Sequence, residues 1–151
     1  MGLDMYLTKK IYVGAKYEHR NVTGKIEVFV DGNLLNVDFS KVSYIEEEAG
    51  YWRKANQIHK WFVENVQSGK DDCGDYYADQ EKLQNLLSLV NQVLEDNSLA
   101  ETLLPRQEGF FFGSNSYDDW YFEQLQETKS ILEECLVVEN ELSDFYYHSS
   151  W

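Results

Sequence analysis

The sequence predicts a single α+β domain, residues 1–151, in which an antiparallel sheet carries about three helices on one face. Order along the chain is the first reason: period-two apolar alternation comes first, a helical apolar period follows, and a short strand pattern closes the chain. The second is Asp31-Gly32, a turn signal between two apolar runs. Size is the third, since 151 residues can bury a core without disulfides.

The strands are predicted from alternation and turn residues. An N-terminal strand covers residues 3–8 and extends through residue 13. Residues 25–30 and 33–39 form a hairpin, because Asp-Gly suits a turn whose two central residues take positive φ. A less regular strand follows at residues 42–48, and residues 145–151 form the last one. We expect the N-terminal strands, the hairpin and the C-terminal strand to share one sheet.

Three helices are predicted in the middle of the chain. From Tyr51 the apolar period becomes helical, with a buried stripe that ends before Ser68-Gly69. The members of that stripe are Ala55, Ile58, Phe62 and Val66. After a loop at residues 70–77, Asp79 caps a second helix whose stripe runs from Leu83 to Leu94. The third helix covers residues 117–136.

Composition and charge limit the function. The formal net charge is −14, from 27 acidic and 13 basic residues. This balance is unfavourable for direct nucleic-acid binding and for a membrane surface, and it favours basic partners. Cys73 and Cys135 lie outside any paired-cysteine motif, and the N-terminus lacks a signal-peptide pattern, so we expect reduced thiols and a cytoplasmic location.

The block Tyr51–Phe62 is the first candidate site. On a helix, Trp52, Asn56 and His59 would lie on one side at spacings of four and three, beside Arg53. A guanidinium, an amide, an imidazole and an indole suit a small anionic ligand that carries a ring, because arginine grips phosphate and an aromatic ring stacks on a base. The alternative is packing, since aromatic stripes at helical spacing usually belong to a core.

A second candidate site is the segment 109–118, which supplies Phe112, Ser114, Tyr117 and Asp118. Two glycines allow the backbone to approach another surface, and the free N–H groups of the following helix can bind an anion. A buried phenylalanine cluster followed by a helix cap is the alternative. The sequence has no phosphate-loop, nucleophile-elbow or zinc-protease motif, so it predicts no catalytic residue, no metal site and no cofactor.

Four segments together resemble a family of small acidic proteins encoded by bacteriophages and prophages. These segments are the start Met1–Leu7, the block Tyr51–Phe62, the segment 109–118 and the C-terminal residues 146–151. The resemblance spans most of the chain and implies a protein that acts in a bacterial cytoplasm. It implies no catalytic residues.

Three functions remain open. The favoured one is a non-enzymatic binding protein, a host-defence antagonist that sequesters a nucleotide-like ligand or binds a host protein. The second is an acidic inhibitor that imitates DNA and blocks a nuclease or another basic effector, based on the net charge. The third is a small enzyme in which His59 works with a carboxylate such as Asp118. The oligomeric state is open and includes a homodimer.

Overall fold

The computed structural model describes residues 2–14, 26–109, 112–137 and 143–151. The strands are β1 (Asp4–Tyr12), β2 (Phe29–Val30), β3 (Asn33–Leu34), β4 (Tyr44–Arg53), β5 (Tyr76–Ala78) and β6 (Asp144–Ser150). The α-helices are α1 (Asn56–Asn65), α2 (Gln80–Glu95), α3 (Ala100–Leu103) and α4 (Asp119–Cys135). The predicted α+β class is confirmed.

The main sheet is antiparallel, with the strand order β4-β1-β6-β5. Its two central strands are therefore the N-terminal β1 and the C-terminal β6, which pair from Asp4 with Ser150 to Lys10 with Asp144. On the other side of β1, strand β4 pairs from Asp4 with Arg53 to Tyr12 with Tyr44, and a bulge interrupts this register.

The hairpin prediction is right about the turn and wrong about the sheet. Asp31 and Gly32 both have positive φ, 50° and 77°. However, β2 and β3 are only two residues each and form a separate two-stranded sheet. The apolar side chains beside this turn, including Phe29 and Leu34, are exposed, so no core face holds the strands in the main sheet.

The first helix begins later than predicted. Residues 51–53 belong to β4, and the chain turns at Lys54, whose φ of 56° cannot continue a strand or a right-handed helix. Helix α1 then starts at Asn56. Its predicted apolar stripe is confirmed, since Ala55, Ile58, Phe62 and Val66 are all buried.

Helices α2 and α4 follow their sequence patterns closely. The Asp79 carboxylate accepts a hydrogen bond from the backbone N–H of Lys82 at 2.8 Å, so Asp79 is the predicted cap of α2. Asp118 caps α4 in the same way through the N–H of Tyr121 at 3.1 Å. The prediction of a loop throughout 70–77 is wrong at its end, because Tyr76 pairs with Tyr147 and opens β5. Short elements of this kind carry little periodicity.

Alternation along the strands gives the main sheet two unlike faces. One face, here called the helix face, packs against α1 and α4 and is buried. It consists of Leu3, Met5, Leu7, Trp52, Phe145 and Tyr147. The opposite side also carries Arg53 and, at its far end, the buried Tyr12. The name open face is used here for its central part, which comprises Tyr6, Thr8, Lys10, Glu46, Glu48, Tyr51, Tyr77, Tyr146 and His148. Among the described residues, the ring contacts and side-chain hydrogen bonds of Trp52 and Tyr147 join the helices to the sheet on the helix face, and Gln124 of α4 also donates to the backbone carbonyl of Arg53 at 3.3 Å.

Candidate functional site

Trp52 and Arg53 are neighbours on β4 and point to opposite faces of the sheet. Trp52 is 1% exposed, and its indole N–H donates to the Thr128 hydroxyl of α4 at 2.9 Å. Arg53 has a side chain that is 60% exposed and lies 3.9 Å from the Asp4 carboxylate. The predicted helical stripe that joins Trp52 to Asn56 and His59 is therefore wrong, because Trp52 lies on β4 and the turn at Lys54 separates this strand from α1.

Asn56 anchors the loop that precedes α4. Its side-chain amide donates to the carbonyl oxygens of Phe112 at 3.1 Å and Ser114 at 3.0 Å. Its side-chain oxygen accepts from the backbone N–H of Gln107 at 3.3 Å. Asn56 is fully buried. Every one of these bonds goes to backbone, so the amide has little capacity left for a ligand.

His59 is 0% exposed and lies between two polar partners. Its Nε2 is 3.1 Å from the Asp71 carboxylate, and its Nδ1 is 2.8 Å from the Tyr147 hydroxyl. Because a carboxylate only accepts, Nε2 carries the proton and Nδ1 accepts from the tyrosine. Burial lowers the pKa of His59, while the charge of Asp71 opposes that shift, and burial raises the pKa of Tyr147.

The second predicted site lies around Arg106, a residue that the sequence analysis did not single out. The Arg106 side chain is 3% exposed and donates to Gln57 at 2.9 Å, to Gln124 at 3.3 Å and to the Ser116 carbonyl at 3.2 Å. Asp118 lies 3.9 Å from its Nη2, which has no hydrogen-bond partner within the described ranges. Burial lowers the pKa of Arg106, and Asp118 opposes this shift.

The remaining predicted residues of this segment have structural partners. The hydroxyl of Tyr117 accepts from the backbone N–H of Arg106 at 3.2 Å, and the hydroxyl of Ser114 accepts from the N–H of Ser116 at 3.1 Å. Phe112 is buried with its ring edge-on to His59 at 5.2 Å. Phe110 and Phe111 lie outside the described residues.

The eight predicted site residues therefore do not form one surface. Asn56, His59 and Phe112 lie together, and Trp52 is buried with them in the core. Arg53, Ser114, Tyr117 and Asp118 are exposed; Tyr117 and Asp118 both contact Arg106, whereas Arg53 lies near Asp4 and Ser114 bonds to Ser116. Ligand binding by these eight residues stays a prediction. Asn56 holds the backbone of Gln107, Phe112 and Ser114 against α1, and His59 holds Tyr147 of β6 there.

The open face gathers aromatic rings in rows across the sheet. Tyr51, Tyr6 and His148 form one row on β4, β1 and β6, with ring centroids 5.3 and 6.0 Å apart. In the next row, Tyr146 and Tyr77 lie 5.6 Å apart. These distances are typical of aromatic pairs. Tyr51 and Tyr77 are exposed, and Tyr6, Tyr146 and His148 are half-buried.

A shallow groove of about 420 Å³ crosses this face. Its walls are Tyr6, Thr8, Glu46, Glu47, Glu48, Asp75 and His148. Lys10 and Lys9 form ion pairs with Glu46 and Glu47, at 2.9 and 2.6 Å, and the two glutamate side chains remain more than half exposed. Asp75 lies 3.6 Å from Nδ1 of His148, an atom without a hydrogen-bond partner in the described part of the chain. The groove is therefore acidic and has an aromatic floor.

The geometry gives no support to the predicted pairing of His59 with Asp118. The carboxylate beside His59 is that of Asp71, whereas Asp118 caps α4 and faces Arg106. His148 is a residue of β6 and His59 contacts that strand, yet consecutive residues of a strand point to opposite faces, and Tyr147 rather than His148 contacts His59. Among the described residues, no group of three or more His, Cys, Asp or Glu side chains is placed to hold a metal ion.

The sequence analysis missed the residues of the open face. Tyr6, Tyr146 and His148 alternate with the buried Met5, Phe145 and Tyr147. The period-two pattern therefore indicates which residues of one strand share a face. The pattern does not indicate that β1 pairs with β6, two strands at opposite ends of the sequence. Without that register, tyrosines far apart in sequence do not appear as one surface.

No protein-family model, curated protein or solved structure matches the chain. None of the helices in the described ranges combines the length and apolar composition needed to cross a membrane. Functional conclusions therefore depend on the geometry of the chain itself.

Proposed function

We propose that the chain is a non-enzymatic binding protein that engages another protein through its open face. The groove on this face binds basic side chains of that partner. The observation that carries the proposal is the acidic groove with its aromatic floor, on a sheet face that no described helix covers. In the bacterial cytoplasm that the resemblance implies, the partner is a basic segment of a host protein, and binding it would block its activity.

The groove offers a cation two kinds of contact. Glu48 and Asp75 supply carboxylates, and an arginine fork matches a carboxylate bidentately. The rings of Tyr6 and Tyr51 supply aromatic faces, on which a guanidinium stacks. The face already holds one such contact, because the Lys10 ammonium lies 4.7 Å from the centre of the Tyr146 ring.

Each of these contacts is weak alone. An exposed ion pair contributes about 0.2–1 kcal/mol, and an exposed cation–π contact about 0.5–1 kcal/mol. Useful affinity therefore requires several basic residues in one segment, and it should fall as salt rises.

The other predicted functions receive less support from the geometry. A nucleotide phosphate would meet carboxylates at the groove, and Trp52, Asn56 and His59 are buried. An imitation of DNA would gather the carboxylates on one side, whereas exposed glutamates such as Glu64, Glu101 and Glu123 also line the helices. Both functions stay predictions.

Removing two groove carboxylates should weaken binding of an arginine-rich peptide. We expect the pair Glu48→Gln with Asp75→Asn to raise the dissociation constant about two- to thirtyfold, since each lost pair is worth a few tenths to 1 kcal/mol. The measurement is fluorescence anisotropy with a labelled peptide that alternates Arg and Thr.

The matched control is Glu123→Gln with Glu127→Gln, on exposed positions of α4. This control changes the net charge by the same amount on the other side of the sheet, so its effect measures long-range electrostatics alone. Equal weakening by the two double variants, or no binding of the peptide by the wild type, would exclude the proposed site.

A further inference from the structure

The outer edge of β4 is the longest free strand edge in the described part of the chain. Strand β4 spans ten residues, Tyr44–Arg53, and among the described strands it pairs with β1 alone, whereas the opposite edge strand β5 has three residues. At its end the Arg53 carbonyl accepts from Gln124. A long edge presents a row of unpaired N–H and C=O groups, and another polypeptide can extend the sheet by pairing with them.

The phase of the β1 ladder shows which groups of β4 point outward. At one end the Ser43 carbonyl accepts from the N–H of Val13 at 2.9 Å, and at the other Lys54 donates to the Leu3 carbonyl at 2.8 Å. In an antiparallel pair, every second residue turns both backbone groups to its partner. The backbone groups of Tyr44, Glu46 and Glu48 therefore point away from β1.

The bulge limits where a new strand can pair regularly. The register of β4 against β1 shifts between Leu7 and Thr8, so that Glu48 and Gly50 face consecutive residues and Ala49 is extra. A bulge twists the strand and interrupts its ladder. The regular part of the free edge is therefore residues 44–48.

The charge of this part of the edge selects the occupant. Glu46, Glu47 and Glu48 follow one another along it, and Lys10 and Lys9 pair with the first two. The three carboxylates and two ammonium groups leave the edge with negative charge, which would repel a second copy of the same strand and attract a basic strand. Glu46 and Glu48 project onto the open face, at the groove. A basic residue at every second position of an added strand would lie beside them.

We propose that a basic, extended segment of the partner protein adds as a fifth strand along residues 44–48 of β4, with its alternate basic side chains over the open face. This inference rests on the proposed function and specifies how the partner is held. Main-chain hydrogen bonds align the segment, and the carboxylates of Glu46 and Glu48 select basic residues at alternate positions.

The test uses the intact protein and three synthetic peptides. The parent is an acetylated and amidated heptapeptide, Thr-Arg-Thr-Arg-Thr-Arg-Thr. One twin carries N-methyl groups on its arginines and the other on its central threonines. An added strand turns the N–H groups of only one of these sets toward β4. We expect one twin to bind about tenfold or more weaker than the parent and the other within about threefold of it, since only one set of donors is lost.

A protein variant tests the same edge from the other side. Proline is tolerated on an edge strand where its missing N–H faced solvent, so Glu46→Pro leaves the β1 ladder intact. We expect Glu46→Pro to weaken binding of the parent peptide about tenfold or more, because a ladder hydrogen bond is lost and the proline ring obstructs the edge. The variant Glu46→Gln should weaken this binding only about two- to fivefold.

The outcomes separate the two proposals. If the parent peptide binds and the two N-methylated peptides have equal affinities, whether high or low, strand addition is excluded. Recognition of basic side chains by the open face then still stands. Equal effects of Glu46→Pro and Glu46→Gln would also exclude strand addition. If the parent itself fails to bind, the proposed function fails, and this inference fails with it.

Discussion

Replacing Trp52 with alanine should lower the free energy of unfolding by about 3–5 kcal/mol, the usual cost of removing a large buried aromatic side chain. The indole is almost fully buried, packs near Phe62 with ring centroids 6.0 Å apart and donates to Thr128. The variant leaves a cavity and removes one of the two hydrogen bonds of the buried Thr128 hydroxyl, which still donates to the Gln124 carbonyl at 2.6 Å, and both changes lower stability. Urea unfolding followed by circular dichroism measures the change.

The neighbouring Arg53→Ala is the matched control. Its side chain lies on the other face of β4 and is 60% exposed, so we expect a change within about 0.5 kcal/mol. A loss of similar size for the two variants would contradict the strand assignment of residues 51–53. It would favour instead the helix that the sequence pattern predicts from Tyr51.

Acid should destabilise the protein through His59. Burial lowers the pKa of this imidazole in the folded protein, so as pH falls through the ordinary value near 6.5 the unfolded chain binds the proton first. The stability present above pH 6.5 is therefore lost progressively toward the folded-state pKa, by up to about 1.4 kcal/mol for each pH unit in that window.

The variant His59→Gln isolates this effect. Glutamine cannot titrate, so the unfolding free energy of the variant should change less steeply with pH between about 7.5 and 5.5 than that of the wild type. This holds whatever the absolute stability of the variant. Most carboxylates titrate below this window, near pH 4. Parallel slopes for the two proteins would show that folding does not lower the pKa of His59. That result would contradict the description of His59 as a buried, neutral histidine.

Local patterns made much of this fold predictable. Asp79 before an apolar helical stripe, and Asp31-Gly32 between apolar runs, specify a helix cap and a turn within a few residues of sequence. The extent of β4 was not predictable in this way. Its last residues carry the same aromatic and polar side chains as a helix start, and pairing with β1, about 45 residues away in sequence, decides the outcome.

The candidate site shows the same limit. His59 and Asn56 looked available in the sequence because their partners come from other segments. These partners are Asp71, Tyr147 and the backbone of Gln107, Phe112 and Ser114. The open face was hidden for the same reason, since Tyr6 and His148 become neighbours only through the pairing of the two chain ends. Tertiary pairing, rather than local propensity, separates the scaffold from the candidate binding surface.

The central claim is that the open face and the β4 edge, and not the polar residues of α1, form the binding surface. The most direct measurement is a titration of ¹⁵N-labelled protein with the Thr-Arg heptapeptide, followed by backbone amide chemical shifts. We expect the largest changes at Tyr6, Glu46, Glu48 and His148, with the amide of His59 unchanged. Changes centred on Asn56, His59 and residues 112–118, with the open face unaffected, would contradict it.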